Sequence, residues 1–128
     1  VLAMRQKMLD AHASHSASAF DLKQDRGGLI DVEFIVQTLV LGHAHQYPQL
    51  TANLGNIALL KMAAELGLVP AVEAEGARTA YREYRRQQHI NRLNDHPDAL
   101  IERASVQPHM DAVCQLWQAV FGQIAPVT

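Results

Sequence analysis

The chain has 128 residues, which suits one domain, and 48% of them are hydrophobic, which excludes disorder over most of the length. The net charge of −2 excludes the basic excess typical of proteins that bind nucleic acid through phosphates. No apolar run reaches the roughly 18 residues that a membrane-spanning helix needs. The single cysteine, Cys114, excludes an internal disulfide and favours a cytoplasmic location.

The start of the chain predicts a fragment of a longer protein. Val1 opens directly into a segment with helical character, and no apolar stretch of a secretory signal follows it. We expect a lead-in helix and loop over residues 1–19, a helical bundle over residues 20–122, and a tail over residues 123–128.

Helical spacing dominates the first half of the chain, and strand signals are scarce. The predicted segments are a helix over Val1–His12, a loop over Ala13–Ala19, a charged connector over Phe20–Gly28 and a second helix to about His45. The second helix is apolar on most sides, with stripes that include Val32, Ile35 and Leu41. We therefore expect it to be buried in the middle of the bundle.

Prolines and glycines divide the second half. Tyr47-Pro48 is predicted to break the second helix, Gly67 to cap the third in the left-handed conformation, and Pro70 to open the fourth. The predicted segments are a third helix over Thr51–Leu66 with Leu54, Ile57, Leu60 and Ala64 inward, a fourth to Leu93, an irregular connector over Asp95–Gln107 and a last helix over Pro108–Gly122. The expected fold is all-α, an antiparallel, up-and-down bundle of about five helices.

The most informative stretch is the glycine pair Gly27-Gly28 before the second helix. Glycines at this position leave the first-turn N–H groups uncovered, and these groups, with the helix dipole, favour an anion. Lys23 and Arg26 add positive charge nearby, so a phosphate or carboxylate could dock here. The alternative is that both glycines serve only the turn. Neither a Walker loop nor a dinucleotide-binding fingerprint is present.

Asp31 and Glu33 resemble a catalytic pair but fail a geometric check. Two positions along a helix correspond to about 200° of rotation, so the two carboxylates are predicted to point to opposite sides. Glu33 shares a face with Gln37. A buried acid at this place needs a partner, for example an arginine from the fourth helix.

The remaining polar residues favour structural roles. His43 and His45 cannot face one ion, His12 and His15 lie in or beside a loop, and no zinc-binding pattern exists, so we expect no metal site in this chain. Cys114 is interpreted as a packing residue. The arginines from Arg78 to Arg92 are interpreted as a solvated face, with an interface to another domain or protein as the alternative.

A longer pattern resembles the signature of a known family. The segment Asp21-Leu-Lys23-x-x-x-Gly27-Gly28-x-x-Asp31-x-Glu33-Phe34-x-x-Gln37 is similar to that of the helical domain in glutamine synthetase adenylyltransferases, and a related version occurs in PII uridylyltransferases. The segment around Met4-Arg5 resembles the family's helix leading out of the catalytic domain. Features typical of the adenylylating half are Leu39-Val40-Leu41, Ala44-His45, Pro48-x-Leu50, Asn56, Gly67-Leu68, Ala80-Tyr81 and Trp117.

The resemblance implies a parent enzyme that transfers AMP from ATP to a tyrosine of glutamine synthetase when nitrogen is plentiful. It implies that ATP and Mg²⁺ are held by the preceding nucleotidyltransferase domain, because its paired aspartates are absent here, and that PII-type proteins regulate the enzyme. This chain would then be non-catalytic. The candidate residues for lining the active site or approaching a nucleotide phosphate are Lys23, Arg26, Gly27, Gly28, Asp31 and Glu33. The alternatives are a pure docking or packing module, the equivalent domain of the deadenylylating half, and that of a PII uridylyltransferase.

Overall fold

The computed structural model describes residues 2–11, 19–52, 54–94 and 100–122. The helices are α1 (Leu2–Ala11), α2 (Leu29–His43), α3 (Asn56–Glu65), α4 (Ala71–Leu93) and α5 (Gln107–Phe121). The strands are β1 (Ala19–Asp21) and β2 (Leu100–Glu102), and 3₁₀ turns cover Pro48–Thr51 and Arg103–Val106. The predicted all-α class is confirmed. The predicted loop after the first helix and the predicted tail lie largely or wholly outside the described residues.

Most helix ends lie where the breaker residues predict them. Gly67 adopts the left-handed conformation with φ +77°, and Pro70 is the N-cap of α4. The third helix is shorter than predicted, because Pro48–Thr51 forms a separate 3₁₀ turn and the chain at Gly55 is extended. α3 therefore begins at Asn56 rather than at Thr51.

The core lies between α2, α4 and α5, with α3 packed against α2 and α4. Three buried alanines on α4, Ala74, Ala77 and Ala80, let neighbouring helices approach closely. The fully or nearly fully buried apolar residues from the other elements include Phe20, Leu22, Val32, Ile35, Leu39, Leu60, Val106, Val113 and Leu116. Burying this apolar surface is the main source of stability for the bundle.

Two sequence expectations about burial are wrong. α2 is not buried all round, since Leu41 is 72% exposed and lies on a solvent-facing stripe with Glu33 and Gln37. These three residues are spaced four apart, which places them on one face of the helix. Leu54, predicted to face inward, is 41% exposed because it precedes α3 rather than belonging to it.

A small antiparallel strand pair replaces part of two predicted connectors. Phe20 of β1 pairs with Ile101 of β2, and Arg103 donates to the carbonyl of Ala19 at 3.3 Å. The Arg103 guanidinium also lies over the Phe20 ring at 5.6 Å from its centroid. Strands of three residues are too short to show an alternating pattern, which explains why sequence reasoning missed them. The pair holds the entrance to the Gly27-Gly28 segment against the bundle.

Candidate functional site

The residues from Asp21 to Gly28, which we call the signature turn, form a tightly hydrogen-bonded loop before α2. The Asp21 carboxylate accepts bonds from the backbone N–H groups of Lys23 and Gln24, both at 3.0 Å. Asp25 closes the loop in the other direction, since its Oδ2 accepts from the Asp21 N–H at 2.9 Å. Aspartate side chains that bond to nearby backbone stabilise turns in this way. The backbone of the turn is thus rigidly defined.

Both glycines of the turn are required by close contacts. Gly27 has φ +88°, a conformation that residues with a Cβ rarely adopt, and a Cβ there would lie 3.0 Å from the Met110 carbonyl oxygen. A Cβ on Gly28 would lie 2.6 Å from the carbonyl oxygen of Leu22. The glycine pair therefore lets the turn lie directly on α5 and on its own backbone.

The expectation of uncovered N–H groups at the start of α2 is wrong. The N–H groups of Gly28, Leu29 and Ile30 donate to the carbonyls of Asp25, Leu22 and Lys23, at 2.9, 2.7 and 3.0 Å. The signature turn folds back over the helix N-terminus and supplies these acceptors itself. An anion approaching the turn must therefore be bound by side chains rather than by these backbone groups.

Asp31 is fully buried and forms an ion pair with Arg5 of α1. Its Oδ1 accepts from Arg5 Nε at 2.5 Å, and its Oδ2 accepts from the Gly27 N–H at 2.6 Å. The suggested arginine partner from the fourth helix is wrong, because α1 supplies it. Arg5 also donates to the Gln24 carbonyl at 2.6 Å, so a single guanidinium joins α1 to both the turn and α2. We call Arg5 and Asp31 the buried clamp.

Glu33 is exposed, on the side of α2 opposite to Asp31, so the predicted separation of these carboxylates is confirmed. Asp31 faces a buried arginine, whereas Glu33 faces solvent. The two carboxylates therefore cannot bind one magnesium ion together. The donor set expected for metal-assisted phosphoryl transfer is therefore not formed by these two residues. Across the described parts of the chain, no three His, Cys, Asp or Glu side chains are grouped to hold a metal.

Two cationic side chains lie at the surface of the signature turn. Lys23 is exposed, while Arg26 is 40% exposed and stacks on the Trp117 ring, with 4.6 Å between the guanidinium carbon and the ring centroid. One Arg26 nitrogen also lies 3.5 Å from Asp31 Oδ1. A cation–π contact restricts the guanidinium while leaving part of it open to solvent. Lys23 and Arg26 are therefore the members of the predicted set that can offer positive charge to a ligand at the signature turn.

Tyr84 of α4 contacts the signature turn, although the sequence analysis did not select it as a site residue. Its hydroxyl donates to the Gly27 carbonyl at 2.8 Å, and its ring lies 5.7 Å from that of Phe20. Burial raises the pKa of the Tyr84 hydroxyl, so the group stays protonated and remains a donor. No local sequence pattern signals this contact, because its partner lies 57 positions away in sequence.

Other predicted positions have the environments of structural residues. Cys114 is half-buried against the signature turn, and burial raises the pKa of its thiol. Arg82, Arg85, Arg86 and Arg92 are exposed, as expected both for a solvated face and for an interface to another domain or protein. Arg78 differs, because it is largely buried and donates to the Ile57 carbonyl and to Glu75. His12 and His15 lie outside the described residues.

A family model described as GlnD PII-uridylyltransferase matches residues 2–109. The chain belongs to this family. The match includes α1, the signature turn and both members of the buried clamp. It ends within the first turn of α5, so Trp117 lies beyond it. Within the described ranges, no helix is long and apolar enough to cross a membrane.

Several curated relatives are named bifunctional glutamine synthetase adenylyltransferase/adenylyl-removing enzyme. Those of Nitrosomonas europaea and Aromatoleum aromaticum are 52% and 56% identical, each over 95% of this chain. That of Neisseria meningitidis serogroup A is 46% identical over 98% of this chain. The resemblance to the glutamine synthetase adenylyltransferase helical domain is thereby confirmed. The chain spans only 13–14% of the length of these relatives.

Proposed function

We propose that this chain is the helical domain of the adenylylating half of a cytoplasmic enzyme that transfers AMP from ATP to a tyrosine of glutamine synthetase. In this proposal the domain is non-catalytic, and the enzyme regulates nitrogen assimilation under the control of PII-type proteins. The names of the relatives support the adenylyltransferase assignment over the uridylyltransferase one, although the family model is described by the latter. The preceding nucleotidyltransferase domain would hold ATP and Mg²⁺.

The observation that carries the positioning role is the buried clamp. Arg5 lies on α1, which resembles the helix leading out of the catalytic domain, and it bonds both to Asp31 and to the Gln24 carbonyl of the signature turn. Arginine holds such contacts rigidly because its planar guanidinium donates in fixed directions. A rigid joint between α1 and the turn would set the orientation of the bundle relative to the active site.

Lys23 is the side chain best placed to approach the nucleotide. Its backbone N–H donates to Asp21 Oδ1 and its carbonyl accepts from the Ile30 N–H, while its side chain is exposed. The ammonium is thus presented from a fixed backbone. Such a group can add positive charge where phosphate charge redistributes during transfer, without itself being a metal ligand.

The test compares Lys23→Ala with Lys61→Ala in the full-length enzyme, with the rate of AMP transfer to glutamine synthetase as the readout. Lys61 is an exposed lysine on α3 and serves as the matched control. We expect Lys23→Ala to lower the rate about tenfold, the equivalent of one charge-assisted hydrogen bond, and Lys61→Ala to leave it unchanged. Equal rates in both variants, with intact folding, would refute the active-site role.

Lys23→Ala also tests whether the chain belongs to the adenylylating or to the deadenylylating half of the enzyme. If the chain belongs to the adenylylating half, Lys23→Ala slows AMP transfer but leaves phosphorolytic removal of AMP unchanged. The opposite pattern would assign it to the deadenylylating half. Transfer of UMP to a PII protein, with no activity on glutamine synthetase, would instead indicate a uridylyltransferase.

A second candidate function is a docking surface for glutamine synthetase. The exposed arginines of α4 favour it, since Arg82 and Arg85 extend into solvent from one long helix. Under this alternative, the double variant Arg82→Ala/Arg85→Ala weakens binding of glutamine synthetase, whereas Lys61→Ala does not. Unchanged binding in the double variant would eliminate this role for the arginine face.

A further inference from the structure

Tyr84 connects α4 to the signature turn through one buried hydrogen bond. The residue is fully buried, and its hydroxyl donates to the Gly27 carbonyl at 2.8 Å. The N–H of the same glycine donates to Asp31 Oδ2 at 2.6 Å. Gly27 is thus held on both sides, by α4 through its carbonyl and by the buried clamp through its N–H.

We propose that Tyr84 is a positioning residue for AMP transfer, whose hydroxyl fixes the Gly27 peptide and thereby the placement of the signature turn. This inference rests on the proposed function, because it assumes that the turn faces the active site. Gly27 has φ +88° and no side chain to restrict it, so its conformation depends on the bonds made by its peptide groups. Removing the Tyr84 hydroxyl leaves a buried carbonyl without its donor.

The hydroxyl, rather than the ring, carries this role. The ring contacts Phe20 at 5.7 Å and His109 at 6.2 Å between centroids, and a phenylalanine at position 84 retains both contacts. Tyr84→Phe therefore removes the bond to Gly27 while preserving the packing of α4 against its neighbours. The expected consequence is a looser signature turn in an otherwise intact bundle.

Tyr81 provides a matched control on the same helix. It lies one turn before Tyr84, and its hydroxyl accepts from Asn56 Nδ2 of α3 at 3.1 Å. Tyr81→Phe also removes one tyrosine hydroxyl bond between two elements, but this bond does not involve the signature turn. A general effect of weakening the bundle appears in both variants, whereas a positioning effect appears only in Tyr84→Phe.

The experiment measures AMP transfer by the full-length enzyme and its two variants. We expect Tyr84→Phe to lower kcat roughly fivefold, as loss of about one hydrogen bond of transition-state positioning implies, with KM for ATP within about twofold of wild type. Tyr81→Phe should retain wild-type kcat. Hydrogen exchange of the peptide that spans Leu22–Asp31 should be faster in Tyr84→Phe alone.

Two results would overturn the inference. One is equal kcat in the two tyrosine variants, and the other is unchanged exchange of the signature turn in Tyr84→Phe. The Lys23→Ala variant distinguishes failure of the proposed function from failure of the role of Tyr84. If that variant transfers AMP at the wild-type rate, the turn does not serve the active site. If Lys23→Ala is impaired while Tyr84→Phe is normal, only the role of Tyr84 is refuted.

Discussion

Replacing Asp31 with asparagine tests the energetic role of the buried clamp. The substitution retains the shape of the side chain but removes its charge, while Arg5 remains fully buried beside it. The amide also has one acceptor oxygen for two donors, the Arg5 Nε and the Gly27 N–H, which Asp31 satisfies separately. Asp31→Asn therefore leaves a buried positive charge without its counter-ion and at least one buried donor without its acceptor.

The expected loss of folding stability in Asp31→Asn follows from the cost of a buried charge that has no counter-ion. Breaking a buried ion pair by removing one partner costs about 3–5 kcal/mol. The free energy of unfolding of a typical domain is about 5–15 kcal/mol, so this loss is a large fraction of the total stability. With a urea dependence of about 2 kcal/mol per M, the unfolding midpoint should fall by roughly 2 M.

Urea denaturation of the 128-residue chain, followed by circular dichroism, measures this change. Glu33→Gln is the control, because it removes one carboxylate charge from the exposed side of the same helix. We expect its effect to remain within about 0.5 kcal/mol, as for most surface substitutions. Equal midpoints for Asp31→Asn and Glu33→Gln would refute the reasoning.

The double variant Arg5→Met/Asp31→Leu adds a further check. It removes both charges and fills the site with apolar side chains, which is often neutral or stabilising for buried ion pairs. The Gly27 N–H still loses its acceptor, so we expect recovery of most of the loss rather than all of it. If the double variant is at least as unstable as Asp31→Asn, the unpaired charge is not the cause.

Three further predictions concern the signature turn and α4. Gly28→Ala should destabilise the chain by about 1–3 kcal/mol, because its Cβ would lie 2.6 Å from a backbone oxygen. Gly42→Ala should instead stabilise the chain by about 0.5–1 kcal/mol, because Gly42 is an exposed helical position with open space around it. Thermal unfolding of both variants measures these changes. Arg26→Ala should cost about 0.5–1 kcal/mol through loss of its contact with Trp117, and a double-mutant cycle with Trp117→Leu should show the two losses to be non-additive. Hydrogen bonding to its neighbouring arginine lowers the pKa of Glu83 to about 2, so its stabilisation is present above about pH 4.5 and lost as the pH falls through 2. The stability difference between wild type and Glu83→Gln should shrink as the pH falls from 4.5 to 2 and vanish below 2, and a difference that stays constant between pH 5 and pH 2 would contradict this assignment.

Local sequence signals determined much of the fold. The helix breaks near Pro48, Gly67 and Pro70 lie where these residues act on the backbone of their own neighbourhood. The opposite orientations of Asp31 and Glu33 followed from the angle per residue alone. These predictions hold because steric limits on φ and helical geometry act within a few residues.

The signature pattern also identified the family, but it did not reveal why its residues are needed. The sequence left Gly28 open between an anion-binding corner and a turn glycine, and its close approach to the Leu22 carbonyl favours the turn. The first-turn N–H groups were expected to be open, and the turn itself occupies them. Both points depend on how the loop folds back on α2, which no periodicity in the sequence reports.

Hydrophobic spacing, prolines and glycines thus determined the helices of this chain, their approximate bounds and most of their buried faces. Only the tertiary structure decided which groups meet across them: Arg5 with Asp31, 26 positions apart, and Tyr84 with Gly27, 57 positions apart. The three-residue strands that place Phe20 against the bundle also required it. The physical reason is that a sequence pattern tells which side of an element must be covered or neutralised, whereas the partner is set by the packing of all elements together.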